Sequence, residues 1–213
     1  MAENRLSRKS MATPVGIPVK GSSSAMRGIT LEISELDLAK DTKPALTLYR
    51  HPATRNAVID FFIDLTGSEE VALTTLYYSD RYQINPFLSF SLVYNESRFN
   101  PSVSSPNPGS IDRGLFQLNS KSFPHLLLDD FFNIDTNVRH GIQHLKWCLD
   151  QAKGSEEKAL AIYNAGLGRI TYGTIPASTQ AYIRNIYRYK DNLARKFKVY
   201  IRDIFEKQDG EEI

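Results

Sequence analysis

The side chain best placed for acid–base chemistry is a glutamate at the end of an apolar run. The segment Pro86-Phe-Leu-Ser-Phe-Ser-Leu-Val-Tyr-Asn-Glu96 leads into Ser-Arg-Phe-Asn-Pro101 and a loop rich in serine, proline and glycine. Asn85 before Pro86 predicts a helix start, with the asparagine as N-cap and the proline at the first helical position. Phe87 to Tyr94 is apolar apart from two serines, so this helix is expected to be buried on most sides. A carboxylate at its C-terminal end meets partial desolvation and the negative pole of the helix dipole, and both raise its pKa. A carboxylic acid that stays protonated near neutral pH can give its proton to a leaving oxygen. The bland alternative is a glutamate at a frayed helix end, reaching water. A second constellation points towards metal: His140, His144 and Cys148 stand at i, i+4 and i+8, along one helical face with Trp147 beside them. Zinc accepts such ligands, but a structural site takes four, and packing is the expected use of this face.

The elements that must hold these groups are helical. Arg55 to Thr66 ends at Gly67, a C-cap, and Ser68-Glu-Glu70 restarts a helix running towards Gln83. Residues 99–113 read as a loop. Val138, Ile142, Leu145 and Leu149 recur at spacings of 4, 3 and 4, an amphipathic helix. Ser155-Glu-Glu157 opens another, which stops at Asn164-Ala-Gly166. The last helix is expected from near Pro176 to about Phe205, with the stripe Ile183, Ile186, Leu193, Phe197, Tyr200 and Ile204 and Lys190 as its one exception. No alternating strand segment and no internal repeat stands out. The pattern predicts a mostly helical single domain.

Composition narrows the function classes. Of 213 residues, 41% are hydrophobic and 23% charged, enough for a sizeable core and against global disorder. A net charge of +2 gives no argument for nucleic acid. Cys148 is the single cysteine, so an intrachain disulfide is excluded. No stretch approaches the roughly 20 apolar residues of a membrane span. Met11 to Val19 is too broken by proline and glycine to serve as a signal h-region.

Three short runs follow in order: Glu96-Ser-Arg-Phe-Asn-Pro101, Gly114-Leu-Phe-Gln-Leu-Asn119 and Ala161-Ile-Tyr-Asn-Ala-Gly166. A fourth, Thr179-Gln-Ala-Tyr182-Ile183, opens the last helix. Together they resemble the catalytic domain of the soluble lytic transglycosylases, relatives of goose-type lysozyme that cut peptidoglycan. The resemblance covers roughly residues 80 to 195. It implies an all-α, lysozyme-like domain in which Glu96 is the single acid/base, acting on the bond between N-acetylmuramic acid and N-acetylglucosamine. It further implies that the substrate's own acetamido group stabilises C1 in place of a protein nucleophile, that the C6 hydroxyl then closes a 1,6-anhydro ring, and that no metal or organic cofactor takes part.

The same resemblance assigns substrate-binding roles to Ser97, Ser105, Gln117, Tyr163, Asn164 and Tyr182. Ser97 could equally hydrogen-bond within its own helix. Gln117 offers an amide donor and acceptor suited to sugar hydroxyls, or else stabilises a turn. Asn164 reads an N-acetyl group or serves the turn at Gly166. Tyr182 matches the family tyrosine near the acid. Two departures stand beside these matches. The segment Pro106-Asn-Pro-Gly-Ser-Ile-Asp-Arg113 replaces the family's small glycine/alanine turn. The run Ser110 to Ser120 also looks like the second-acid segment of animal-type lysozymes. Asp112, 16 positions after Glu96, thus becomes a candidate for activating water, its alternative being an ion pair with Arg113 or Arg98.

The expected layout is a flexible N-terminal arm over 1–40, N-terminal helices over 41–84 packed on the catalytic domain, that domain over 85–205, and a tail over 206–213. The arm carries Arg5, Arg8, Lys9, Lys20 and Arg27 against Glu3 before Ile29, and the last helix carries Arg184, Arg188, Lys190, Arg195, Lys196 and Lys198. Either set offers weak contact with an anionic envelope surface, or simply a solvated face. The expected partner is the glycan strand of peptidoglycan, met by a monomer in the periplasm or cell envelope, a location inferred from the substrate. The rival readings are a hydrolytic muramidase using Glu96 and Asp112, and a wall-binding or scaffolding protein without turnover.

Overall fold

Polar residues that interrupt the apolar runs mark where the helices begin. The computed structural model describes residues 41–210, with side chains through residue 204; the arm expected over 1–40 lies outside them. Helix α1 (Pro44–Arg50) and α2 (Arg55–Thr66) come first, α2 ending at Gly67 in the left-handed region, φ 67°. Ser68 accepts from the Val71 amide and opens α3 (Glu69–Arg81). Asn85 accepts from the Phe87 amide at 3.0 Å and, with Pro86, opens α4 (Pro86–Ser97). Asn133 caps α5 (Ile134–Gln151) and Ser155 caps α6 (Glu156–Ala165). The short α7 (Leu167–Tyr172) and the long α8 (Ala177–Gly210) complete the helices. Side-chain oxygens at these caps satisfy amides that the first helical turn leaves without partners.

The all-α expectation holds, with one correction. Residues 104–107 and 110–113, read as a loop, pair with two residues of the second motif in a small antiparallel sheet, ordered β1 (Ser104–Asn107), β2 (Ser110–Arg113), β3 (Leu118–Asn119). Its register pairs Ser105 with Asp112 and Asp112 with Asn119. Strands of four and two residues made of Ser, Pro, Asn and Asp carry no apolar alternation, and Pro106 is tolerated because β1 is an edge. Helices α1 and α7 are likewise too short to show a period. Helix α8 continues past Phe205 to Gly210, where a tail was expected.

Helix α4 is the axis of the core, with every residue from Pro86 to Val93 buried. Phe62 of α2 stacks on Phe90 at 4.1 Å, and Phe61 meets Phe197 of α8 edge-on at 5.0 Å, so α2 and α8 clamp α4 through aromatic rings. The buried side chains of Phe62, Phe90 and Phe197 each contribute about 1.5–3 kcal/mol. Tyr78 of α3 donates to Asp135 of α5 at 3.0 Å, which ties the N-terminal helices to the rest. On the other side of α4, Val138, Ile142 and Leu145 of α5 pack with Leu115, Phe116, Leu118, Ile183 and Ile186. Gly141 makes that packing possible, because a Cβ there would lie 2.1 Å from the Phe116 ring. The exception in the α8 stripe also has a cause: Lys190 forms an ion pair with Glu156 of α6 and lies 5.6 Å from the Tyr187 ring centre.

Candidate active site

Glu96 sits in the last turn of α4, half-buried, with its helix ending immediately after it. The chain turns away through two consecutive left-handed residues, Arg98 (φ 55°) and Phe99 (φ 64°). Neither is glycine, and such conformations cost about 1–3 kcal/mol each unless the surroundings hold them. Here Arg98 donates to the Tyr94 carbonyl at 2.7 Å and lies over the Tyr94 ring at 4.2 Å, while Phe99 packs on the core. The strain buys an abrupt helix end that leaves Glu96 facing a cleft.

Tyr182, in the first turns of α8, donates its phenol hydrogen to Glu96 Oε1. Burial pushes the Glu96 carboxyl up to about 7; the Tyr182 hydrogen bond pulls the other way, and the charge of Asp112 adds to the rise. Burial is the leading cause, since removing water disfavours the ionised form. The phenols of Tyr182 and Tyr163 are pushed well above 10, burial first and the neighbouring Glu96 charge second. They therefore remain hydrogen-bond donors.

The turn from Gly114 to Asn119 forms the opposing wall, and one buried side chain holds it. Asn137 of α5 accepts from the Phe116 amide at 2.8 Å and donates to the carbonyls of Arg113 (3.0 Å) and Phe131 (2.7 Å). Gly114 must be glycine: its φ is 75°, and a Cβ would fall 2.2 Å from the Phe131 carbonyl oxygen and 2.3 Å from Asn137 Nδ2. Gln117 is also left-handed (φ 46°) and spends its amide hydrogens on the Gly114 (2.9 Å) and Val103 (3.2 Å) carbonyls. Its amide nitrogen thus stabilises the turn, which leaves the side-chain carbonyl as an acceptor. Tyr163 of α6 donates to the Phe116 carbonyl at 2.9 Å. Sequence reading passed over Asn137. The available signal was an asparagine on the buried face of α5, shared with Gly141 and Cys148.

The cleft between these walls has a volume of about 540 Å³. Glu96, Gln117, Tyr163 and Asn164 all line it, and Tyr182 supports Glu96 from behind. Asn164 accepts from Thr179 at 2.8 Å, so its amide hydrogens remain available. Two expected residues stand elsewhere. Ser97 is buried and bonds to the Val93 carbonyl at 3.2 Å within its own helix, and Ser105 lies on the edge strand β1; neither lines the cleft. Asp112 does line it, and neither Arg98 nor Arg113 is its partner. Its two oxygens accept from Asn119 (2.7 Å) and Asn107 (2.6 Å), while Arg113 lies over the Phe131 ring.

The remaining wall is aromatic. His144 stacks on Trp147 with centres 5.5 Å apart and meets the Tyr163 ring at 4.9 Å, and Phe123 stands against both His140 and His144. The face that suggested zinc is thereby filled with ring packing. Burial lowers the pKa of both histidines and pushes the Cys148 thiol up to about 12. Among the described residues no group of three or more His, Cys, Asp or Glu is arranged to hold a metal. Trp147, Phe123, Asn107 and Asn119 join the cleft without having been singled out from the sequence as site residues.

A half-buried acid with a raised pKa, a phenol holding it, and a cleft with amides on one side and flat rings on the other suit a carbohydrate, whose hydroxyls and C–H faces need both surfaces. The sequence matches the transglycosylase SLT domain family across residues 74–182, which run from within α3 to the first turns of α8 and contain every cleft residue named above. No solved structure matches the chain. The match takes in half of the sequence and every residue of the Glu96–Tyr182 pair, so the chain belongs to the transglycosylase SLT domain family, the lysozyme-like lytic transglycosylases that act on the glycan strands of peptidoglycan.

Proposed function

We propose that this protein cuts the β-1,4 bond between N-acetylmuramic acid and N-acetylglucosamine without water, with Glu96 as the sole acid and base. The observation that carries this reading is the Glu96 carboxyl, raised to about 7 and oriented by Tyr182 at the edge of the cleft. In the first step the Glu96 proton passes to the glycosidic oxygen as the C1–O bond breaks, and the substrate's acetamido oxygen bonds to C1. In the second, the Glu96 carboxylate takes the proton of the C6 hydroxyl, O6 bonds to C1, and the acetamido oxygen is released. Glu96 ends protonated, as it began, and the product carries a 1,6-anhydro end. Near pH 7 both protonation states of Glu96 are accessible, which suits a group that must act in both directions. The Gln117 carbonyl and the Asn164 amide hydrogens supply complementary contacts to sugar hydroxyls and acetamido groups. Trp147 and Phe123 offer flat apolar surface to the sugar rings. Such a substrate puts the site of action in the cell envelope.

A hydrolytic reading is favoured by one observation, that Asp112 lines the same cleft as Glu96. Hydrolysis would need that carboxylate to activate water. Both of its oxygens already accept amide hydrogens from Asn107 and Asn119, which supports a role in shaping the wall and in raising the Glu96 pKa. Digestion of purified sacculi followed by mass spectrometry of the soluble fragments separates the readings. Anhydro ends are the expected product. Reducing ends would assign hydrolysis, and absence of soluble fragments would assign a binding role.

A further inference from the structure

The outer face of α8 carries its charges in a row. Arg184, Arg188, Asp191, Arg195 and Lys198 recur at spacings of 4, 3, 4 and 3, all exposed, opposite the buried Ile186, Leu193 and Phe197. Four of the five are cations, and the row spans about 21 Å of helix. Arg98, at the end of α4, adds a fifth cation on the same side, because it borders a cavity of about 430 Å³ together with Arg188 and Arg195. Tyr94 and Tyr189 also line this cavity, their rings stacked with centres 3.8 Å apart. Arg98 and Arg188 donate to neutral oxygens, the Tyr94 carbonyl and the Asn185 side chain. Among the described residues none of the five cations is ion-paired to a carboxylate, and no carboxylate lines the cavity. Like charges held together without a counter-charge repel one another, and such a field attracts anions to the surface that carries it.

We propose that this face of α8 rests on a bilayer surface rich in anionic phospholipid, with one phosphate headgroup held in the cavity. A row of cations along one helix meets a plane side-on, and each cation near an anionic bilayer contributes about fivefold in affinity. Guanidinium forks match phosphate oxygens in two-point geometry, which suits Arg98, Arg188 and Arg195 to the headgroup. Tyrosine rings settle at headgroup depth, where one part of the ring meets apolar surface and the hydroxyl stays wet. Val199, 47% exposed and next to Lys198, gives the same face an apolar contact that a soluble phosphodiester chain would not need. The cavity and the Glu96 cleft share no lining residue, and Tyr94 stands about 200° round α4 from Glu96. A surface docked here therefore leaves the cleft open.

Co-sedimentation of the full chain with vesicles tests the proposal, using phosphatidylglycerol and phosphatidylcholine in equal parts against phosphatidylcholine alone. Binding to the mixed vesicles is expected, at least about tenfold tighter than to the neutral ones and weakening as added salt shortens the screening length. The Arg188→Gln, Arg195→Gln double variant should bind the mixed vesicles about tenfold or more weakly, whereas Arg188→Lys with Arg195→Lys should keep most of the affinity. Both arginines are exposed, so both double variants are expected to keep the wild-type melting curve. Glu96→Gln should bind vesicles as the wild type does, which keeps this test independent of the acid–base reading. Lipid-free sacculi should be cut at the wild-type rate by the Gln double variant. Equal binding to both kinds of vesicle, equal binding by the Gln double variant, or tighter binding to soluble poly(glycerol phosphate) than to the mixed vesicles would overturn the proposal. Slower cutting of lipid-free sacculi by that variant would also overturn it, since the cavity would then serve the glycan.

Discussion

Replacing Glu96 by Gln separates the energetic cost of keeping the acid from its chemical use. Burial shifts this carboxyl from 4.5 to about 7, with Asp112 adding to the rise and the Tyr182 hydrogen bond opposing it. At 1.36 kcal/mol per pH unit, that interval amounts to roughly 3 kcal/mol held against the ionised folded state. Between pH 4.5 and about 7 the folded chain binds the Glu96 proton while the unfolded chain has released it. Stability is therefore lost as pH rises through this window and levels off above it. Glutamine has nearly the same shape, still accepts from Tyr182 and cannot ionise. At pH 4 the two proteins should be about equally stable; at pH 8 the Gln variant should be the more stable by roughly 3 kcal/mol. For a domain of this size that difference is about 6–12 °C in Tm. Urea unfolding of both proteins at pH 4, 5.5, 7 and 8 measures it, and subtracting the curves cancels every other titrating group. The same variant should release no fragments from sacculi. Two parallel stability curves would show that Glu96 ionises in the folded state as it does in water. A variant less stable at pH 8 would mean that a partner holds the carboxylate charged. Either result removes the general acid.

Tyr182→Phe removes the donor that lowers the Glu96 pKa, so the alkaline limb of the cutting rate should move to higher pH. The rate at the optimum should also fall about tenfold or more as the acid loses its orientation, which a pH profile on sacculi would reveal. Asp112→Asn removes a charge that raises Glu96, so the limb should move to lower pH with less than about a tenfold change at the optimum; a loss above about a hundredfold, with reducing ends in the product, would assign it the water. Asn137→Ala leaves the Phe116 amide and the Arg113 and Phe131 carbonyls without their partner, at about 1–3 kcal/mol each. Its urea midpoint and cutting rate should fall together, while the pH limb stays where it is. Gly141→Ala drives a methyl into the Phe116 ring and should cost about 1–3 kcal/mol, read as a lower Tm.

The helices were legible because their signals are local. Asn85-Pro86, Ser68-Glu-Glu70, Ser155-Glu-Glu157 and Gly67 each act within a few residues, and the structure starts or stops helices at those points. The sheet was not legible. Its strands owe their existence to pairing across a Pro108-Gly109 turn and to the Asp112–Asn119 bond, and a polar four-residue strand has no apolar period to betray it. Helix α1 lies within the stretch expected to hold N-terminal helices, but at seven residues it shows no period of its own that would fix its bounds. Lys190, by contrast, was visible as a break in the α8 stripe, and only the folded chain supplies Glu156 as its cause.

The acid itself was legible for a different reason than its surroundings. A glutamate that closes a largely apolar helix is expected at the rim of the core, so sequence alone places it between protein and water. What sets its pKa comes from far along the chain: Tyr182 is 86 residues away, and Asp112 reaches it from a strand that the sequence hid. Of the two causes expected for Glu96, desolvation and the helix dipole, burial leads, and the wall that faces it across the cleft is the turn that Asn137 pins from α5. The three bonds of Asn137 span 6 to 24 positions and end on backbone atoms, whose identity no residue type encodes. Such a residue acts on the chemistry only through the wall it holds. Its loss should therefore lower the rate and the stability in step, whereas loss of Glu96 should lower the rate and raise the stability above pH 7. Opposite signs from two substitutions in one site are the test that separates a group doing the reaction from one that keeps the reaction's place.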